Sequence, residues 1–109
     1  MNNVYNSVSV PAATPTVING ITVPERAPYS LKGLIVWCEA DMDIEIKLNV
    51  DTIGGGRLTG SQQTLHIDYS SSPFGLQAGD VVTVLATENS DLTPPATYTV
   101  QSTLLVEQL

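Results

Sequence analysis

The segment Ile44-Glu-Ile-Lys-Leu-Asn-Val50 alternates apolar and polar residues without a break. Successive side chains of a β-strand point to opposite sides of a sheet, so this pattern predicts a strand with one face in a core and the other in solvent. Residues 64–69 alternate in the same way, with Leu65, Ile67 and Tyr69 on the inward side. Because no segment has a convincing helical period, these half-buried strands indicate an all-β fold class.

Further strand candidates lie on both sides of these two segments. The apolar run of residues 34–38 predicts a strand buried on both faces, and residues 81–87 and 96–106 are rich in residue types that favour strands. Glycines 54–56 are interpreted as a loop that needs positive φ. About six to eight short strands, separated by turn signals, predict an antiparallel β-sandwich or barrel.

The first 28 residues differ from the rest because they hold four prolines, which cannot donate to a strand ladder. Within them, Asn19-Gly20 predicts a tight turn. Two interpretations stay open: an edge strand of the domain, or an arm that docks on a neighbouring subunit. We divide the chain into an extended arm, residues 1–20, and a sandwich domain, residues 21–109. The predicted partner-binding residues are the apolar ones of the arm: Val4, Tyr5, Val8, Val10, Val17 and Ile18.

Composition excludes several classes of partner. The chain has 109 residues, which fits one domain, and a formal net charge of -7 with only four basic residues, spread singly. Nucleic acids and anionic membrane surfaces both need clustered Lys and Arg, so neither is an expected partner. Cys38 is the single cysteine, which excludes an intrachain disulfide. No secretory start is evident, so we expect synthesis in a cytoplasm.

A cysteine–histidine catalytic site is the first chemical possibility to weigh. Cys38 and His66 are single residues, and Asp68 follows His66 by two positions, where it could orient the imidazole from the same strand face. However, Cys38 lies beside Trp37 in an apolar strand, where a thiol is usually inert packing. We therefore predict no catalytic site and no enzymatic activity.

An acidic group and a glycine-rich segment are the candidates for a metal site and a phosphate site, and a turn and a loop are the other interpretations. Glu39, Asp41, Asp43 and Glu45 could gather oxygen ligands for calcium, but the spacing lacks the glycine and the distal glutamate of an EF-hand loop. The Gly54-Gly-Gly-Arg57 segment lacks the Lys and Ser or Thr of a phosphate loop. We expect no metal ion and no cofactor.

The aromatic residues leave carbohydrate binding open as an alternative. Trp37, Tyr5, Tyr29, Tyr69 and Tyr98 could form a sugar-stacking surface if they were exposed. Three of them lie within strand patterns, where aromatic side chains more often pack in a core.

Several segments, taken in order, resemble small β-sandwich proteins encoded among the virion structural genes of tailed bacteriophages. A Thr-Val-Pro entry leads into an apolar strand, then an alternating strand, a glycine/arginine corner and a Leu-x-Ala-Gly-Asp turn. The segments that carry this likeness are Ile21-Thr-Val-Pro24, Tyr29-Ser-Leu-Lys-Gly-Leu34, Asp43-Ile-Glu-Ile-Lys-Leu48, Leu65-His-Ile-Asp-Tyr69, Leu76-Gln-Ala-Gly-Asp-Val-Val82 and Leu104-Leu105.

The resemblance covers about residues 21–105 and implies a jelly-roll-like sandwich. It further implies a head decoration (cement) protein, or a neck or tail accessory protein, located in the virion. The implied partners are capsid or tail proteins of the same virion, with a homo-oligomer, preferably a trimer, as the working unit. A carbohydrate-binding module on a host-facing appendage is the alternative.

Overall fold

A computed structural model of the chain describes residues 3–11, 14–24, 28–38, 40–59, 61–88 and 97–108. This part of the chain contains nine strands and no helix. The strands are β1 (Val4–Pro11), β2 (Thr16–Thr22), β3 (Tyr29–Trp37), β4 (Met42–Leu48), β5 (Asp51–Leu58), β6 (Thr64–Asp68), β7 (Phe74–Leu76), β8 (Val81–Glu88) and β9 (Thr97–Gln108).

The strands form two antiparallel sheets. The first sheet has the order β1-β9-β3-β6, with β7 paired to the start of β3, and the second has the order β2-β8-β4-β5. Without β7, the pairs are nested: β1 with β9, β2 with β8, β3 with β6 and β4 with β5. This is the connectivity of a jelly roll, in which one long hairpin is rolled into two sheets. The predicted all-β antiparallel sandwich is confirmed, with nine strands rather than six to eight.

The core lies between the two sheets and is built by alternation. In β4 the buried side chains are Met42, Ile44 and Ile46, while Asp43 and Glu45 point away from the core. Burying each of these large apolar side chains contributes roughly 1.5–3 kcal/mol. Strands β8 and β9 alternate in the same way, so the pattern that predicted the fold is the pattern that fills the core.

The alternation of β4 ends earlier than predicted. Val50 was expected to share the inward face, but its side chain is 88% exposed. Asn49 adopts a φ of 57°, and the chain turns there into β5. Asn adopts this left-handed backbone conformation more readily than most other non-glycine residues. The turn at Asn49, and not the hydropathy pattern, therefore fixes the end of the strand.

The N-terminal segment is part of the sandwich. Strand β1 lies at one edge of the first sheet and pairs with β9, and β2 lies at one edge of the second sheet and pairs with β8. The predicted boundary at residue 20 falls inside β2, and Val10 and Ile18 are fully buried in the core. The division into arm and domain is therefore corrected, because the apolar side chains of this segment complete the core of their own chain.

The predicted turn at Asn19-Gly20 is also wrong. Both residues lie within β2, where the register shifts between Val17 and Asn19. Gly20 has no room for a side chain, since a Cβ would lie 2.6 Å from the Val82 carbonyl oxygen. The sequence signal that usually marks a tight turn here marks a bulge with a close backbone approach.

The bulge turns Asn19 inward, where its amide joins the two sheets. Asn19 is only 3% exposed, and its Nδ2 lies 2.9 Å from the Val4 carbonyl oxygen and 3.1 Å from the Ser102 hydroxyl. From the opposite direction, the Asn6 amide donates to the Ile18 carbonyl oxygen at 3.0 Å. These side chains close the side of the sandwich where β1 and β2 meet, because they satisfy backbone groups that no strand pairs.

The opposite side of the sandwich is closed by Tyr69 and by glycines of β5. The Tyr69 hydroxyl donates to the Ile53 carbonyl oxygen at 3.1 Å, and burial raises the pKa of this phenol, which keeps it a donor. A Cβ on Gly54 would collide with that hydroxyl, and one on Gly56 would lie 2.9 Å from the Leu65 methyl carbons. Glycines 54–56 are thus strand residues without positive φ, where a loop was predicted. Their small size lets β6 and its flank approach β5.

A polar cluster fixes one end of the sandwich around the β4–β5 turn. The Asn49 amide donates to the Asp80 carboxylate at 3.2 Å and accepts the Val81 N–H at 3.0 Å. The Gln77 N–H donates to the other oxygen of Asp80 at 2.9 Å. These hydrogen bonds, first that of the Gln77 backbone and then that of Asn49, lower the pKa of Asp80 below its usual value.

We predict that Asn19→Ala destabilises the fold by about 2–4 kcal/mol, because it leaves the part-buried Val4 carbonyl and the buried Ser102 hydroxyl without their donor. Asn6→Ala is the matched control: it removes one hydrogen bond at an exposed residue and should cost about 1 kcal/mol. Urea unfolding followed by circular dichroism measures both. Equal effects of the two variants would contradict the central role of Asn19.

We predict that Gly54→Ala costs about 2–3 kcal/mol through the collision with Tyr69, and that Tyr69→Phe costs about 1 kcal/mol through the lost hydrogen bond. The double variant should lose less stability than the two single variants lose together, because removing the hydroxyl makes room for the added methyl group. Gly75→Ala is the control, since among the described residues nothing lies within 4 Å of its Cβ position. Strict additivity in the double variant would rule out this contact.

We predict that the stabilising effect of the Asp80 carboxylate is present above the usual aspartate pKa of about 3.9 and is lost as the pH falls through the lower pKa of the folded state. Asp80→Asn should therefore be less stable than the native protein at pH 6, and the two should converge on acidification. Thermal unfolding between pH 6 and pH 2 measures the difference. Asp51→Asn, at the β4–β5 turn next to Asn49 and Val50, controls for the loss of one negative charge. A difference that stays constant over this range would argue against the Asp80 hydrogen bonds.

Candidate functional site

In the apolar run of residues 34–38, at the end of β3, every second side chain is exposed. Leu34, Val36 and Cys38 are fully buried, whereas Ile35 is 37% and Trp37 is 38% exposed. The prediction that this run is buried on both faces is wrong, because only one side of the first sheet packs against the second sheet. The opposite side faces solvent and carries the two large apolar side chains.

Strand register places further side chains beside Ile35 and Trp37. Paired residues of antiparallel strands lie on the same face, so the outer face of the first sheet can be read directly from its pairs. Two rows cross the four strands. The first row is Tyr5, Thr103, Ile35 and His66, and the second row is Ser7, Gln101, Trp37 and Thr64. We call these eight residues the Trp37 face.

The Trp37 face contains no carboxylate, lysine or arginine. Charged residues lie beyond one end of it, where the Lys32 ammonium lies 3.2 Å from the Glu107 carboxylate and where Asp68 follows His66 on β6. Hydrogen bonds from Ser70 lower the pKa of Asp68, so this carboxylate stays ionised at neutral pH. An uncharged centre with a charged border is typical of a protein contact surface.

Tyr5 and Trp37 are the exposed aromatic residues of this face, at 61% and 38%. Tyr29, Tyr69 and Tyr98 are partly buried and pack against the core, and Tyr69 makes an edge-to-face contact with Phe74 at a centroid distance of 4.9 Å. The five aromatic residues considered from the sequence therefore divide into two on the Trp37 face and three that support the fold.

The six predicted partner-binding residues are not brought together. Val10 and Ile18 are in the core, and Val4 and Val8 are partly buried against it. Tyr5 and Val17 are exposed, at 61% and 56%, but they lie on different sheets. Of the six, only Tyr5 lies on the Trp37 face, and Val10 and Ile18 are buried in the core of their own chain.

Ile35 and Trp37 were missed as surface residues, although the sequence contained a signal for them. Their partners in β9 are Thr103 and Gln101, which alternate with the buried residues Val100, Ser102 and Leu104. A strand paired to a half-polar strand must itself be half exposed, because the two share both faces. Reading β3 alone hides this, since an apolar run fits a buried strand equally well.

The residues considered for cysteine–histidine catalysis lie on opposite sides of the first sheet. Cys38 is fully buried in the core, where its sulfur accepts the Ala40 N–H at 3.5 Å. His66 and Asp68 are exposed on the outer side of β6. The geometry therefore places the thiol and the imidazole apart.

The acidic residues near β4 are engaged with neighbours on β5. The Asp43 carboxylate accepts from Arg57 Nε at 2.9 Å, which raises the pKa of the guanidinium, and the Glu45 carboxylate accepts the Thr52 hydroxyl at 2.5 Å. Glu39 lies outside the described residues. In the described ranges, no group of three or more His, Cys, Asp or Glu side chains is placed to hold a metal ion.

Asp43 and Glu45 also line a groove on the outer face of the second sheet. It has a volume of about 490 Å³ and continues over Leu85 to glycines 54 and 55. The groove is open and mixed in polarity, in contrast to the uncharged Trp37 face.

No helix in the described part of the chain is long and apolar enough to cross a membrane.

Comparisons with known proteins support the fold class. No protein-family model matches the chain, and no curated protein matches it. A solved structure similar to it is the insecticidal delta-endotoxin Cry8Ea1 from Bacillus thuringiensis, with a TM-score of 0.55 and 18% sequence identity. The likeness covers 93% of this chain but only 19% of the toxin chain. At this identity it shows the fold alone, and the class defined here is a jelly-roll β-sandwich.

Proposed function

We propose that this protein is a non-enzymatic structural protein of a tailed-bacteriophage virion, where it acts as a capsid decoration protein and assembles through the Trp37 face. The observation that carries the binding role is the exposure of Trp37, Ile35 and Tyr5 on one uncharged sheet face. The virion location and the capsid or tail partners rest on the sequence resemblance, and a neck or tail position fits the same likeness.

The composition of the Trp37 face supports protein binding. Tryptophan and tyrosine are enriched among residues that dominate binding energy, because they bury a large rigid area at small entropic cost. The surrounding Ser7, Thr64 and Gln101 can form hydrogen bonds around them and limit the entry of water. Exposed apolar side chains that cluster on one face typically mark an interaction site.

Repetition strengthens such a contact in a virion. A capsid or tail presents many identical sites, so a subunit joined to its neighbours binds with an effective concentration far above that in solution. A modest contact area per copy is then sufficient. Synthesis in the host cytoplasm followed by assembly on the particle is consistent with the single cysteine, Cys38, which is buried in the core and has no second cysteine in the chain to pair with.

Carbohydrate binding is the second candidate function, favoured by the exposure of Trp37 and Tyr5 on the same face. Aromatic side chains of this kind can stack on the apolar side of sugar rings. The face would then contact host glycans from a virion appendage.

We predict that Trp37→Ser lowers the amount of protein bound to purified particles of the encoding phage by roughly tenfold, because it removes a large apolar anchor. Val81→Ser is the matched control: Val81 is 39% exposed, on a strand of the second sheet. Co-sedimentation with particles measures binding, and circular dichroism checks that both variants fold.

Three outcomes of this experiment are informative. Loss of binding in Trp37→Ser with retention in Val81→Ser supports the proposal. Absence of native protein from particles overturns the virion role. Binding of the native protein to a glycan array, lost in Trp37→Ser, would replace the proposal by the carbohydrate alternative.

A further inference from the structure

The Trp37 face is unusual for this protein because it is free of formal charge. The chain has a net charge of -7, with eleven acidic and four basic residues. Two copies of such a chain repel each other over most of their surface. The eight residues of the Trp37 face contain neither carboxylates nor ammonium or guanidinium groups, so at neutral pH this face can meet an identical face without placing like charges in contact.

The size of the face can be compared with what a stable dimer needs. Four strands spaced by about 4.8 Å cover roughly 19 Å, and strands of five to eight residues at about 3.4 Å each run for roughly 17–27 Å. The outer face of the first sheet, whose centre is the Trp37 face, therefore offers roughly 300–500 Å² per copy, and two copies in contact bury about 600–1,000 Å². This is less than the roughly 1,200–2,000 Å² of stable complexes and falls among weak, transient contacts, which indicates a dimer that forms only at high concentration.

The large side chains lie where a two-fold contact would bury them most. Trp37 and Ile35 lie on β3, and Gln101 and Thr103 face them on β9. These are the two inner strands of the order β1-β9-β3-β6. A two-fold axis between β3 and β9 would bring the inner rows of both copies together and leave Tyr5 and His66 nearer the rim.

We infer that the occupant of the Trp37 face is a second copy of this chain, packed face to face about a two-fold axis. The inference rests on the proposed function, since it names the partner of the same binding face. A contact between identical faces closes at two subunits. The trimer implied by the sequence resemblance would instead need two different surfaces on each subunit.

Dimer formation also gives the Trp37 face a role in particle binding. A dimer carries two copies of every other surface, so two contacts with the lattice can form at once. Substitution of Trp37 then weakens particle binding through the loss of avidity, even though the face itself is covered by the second copy.

Trp37 is the single tryptophan of the chain and reports directly on this contact. Sedimentation equilibrium of the full chain should give the mass of one chain on dilution and of two chains at high concentration. The fluorescence of Trp37 should shift to the blue over the same concentration range as the indole leaves water. A monomer at all concentrations, a trimer, or a dimer without a fluorescence shift would each overturn the inference.

A charge exchange at Gln101 identifies the partner as a second copy. Gln101 is exposed and central, so Gln101→Glu and Gln101→Lys should fold while each raises the dimer dissociation constant by roughly tenfold or more through like-charge repulsion. Mixing the two variants should restore pairing as a mixed dimer. Thr83→Glu and Thr83→Lys on β8 of the second sheet are the controls and should leave the dissociation constant unchanged. Failure of the mixture to pair would overturn the inference.

The two proposals fail separately. Particle binding that depends on Trp37 in a protein that stays monomeric would mean that the face contacts the lattice directly, which overturns the inference and keeps the proposed function. A dimer that closes through Gln101 and Trp37 but does not bind particles would support the inference and overturn the virion role.

Discussion

The buried amide of Asn19 forms hydrogen bonds at a place where the edge strands of two sheets lie side by side and leave backbone groups unpaired. Strands β1 and β2 are edges of different sheets, and their outward backbone groups have no ladder partner. Asn19 and Asn6 satisfy some of these groups across the gap, and Tyr69 does so on the opposite side. Because open edges are the usual sites of strand addition, these side-chain bridges hinder the pairing of a further strand at the edges.

The two outer faces of the sandwich differ in chemistry. The second sheet carries Asp43, Glu45 and Arg57 in hydrogen-bonded pairs, whereas the first sheet carries Ile35 and Trp37 among small hydroxyl residues. A surface ion pair contributes little to stability, and its charges must lose water before another protein can cover them. Covering the Trp37 face has no such cost, because water leaves apolar and hydroxyl groups more readily than charged ones.

Much of the fold could be predicted from the sequence, because a strand with one buried face alternates apolar and polar residues. Ile44, Ile46 and their polar neighbours predicted β4 correctly. The errors concern positions where the partner strand decides the environment. Ile35 and Trp37 look like core residues until β9 is placed beside them, and Asn19-Gly20 looks like a turn until β8 is placed beside β2. Glycines 54–56 look like a loop because nothing local reveals the Tyr69 hydroxyl that excludes a side chain. The Trp37 face was therefore not predictable from periodicity within single strands.

The nested pairing of the strands has a consequence for the order in which the chain can fold. Strands β4 and β5 are joined by a turn of two residues, whereas the pairs β3–β6, β2–β8 and β1–β9 enclose progressively longer stretches of chain. The entropy cost of closing a loop rises with its length, so each inner pair shortens the loop that the next pair must close. The route with the lowest entropy cost therefore begins with β4–β5 and adds the enclosing pairs in turn. Folds with such distant pairings form slowly. The N-terminal strands, which look like a separate arm in the sequence, are on this route the last to join the sheets.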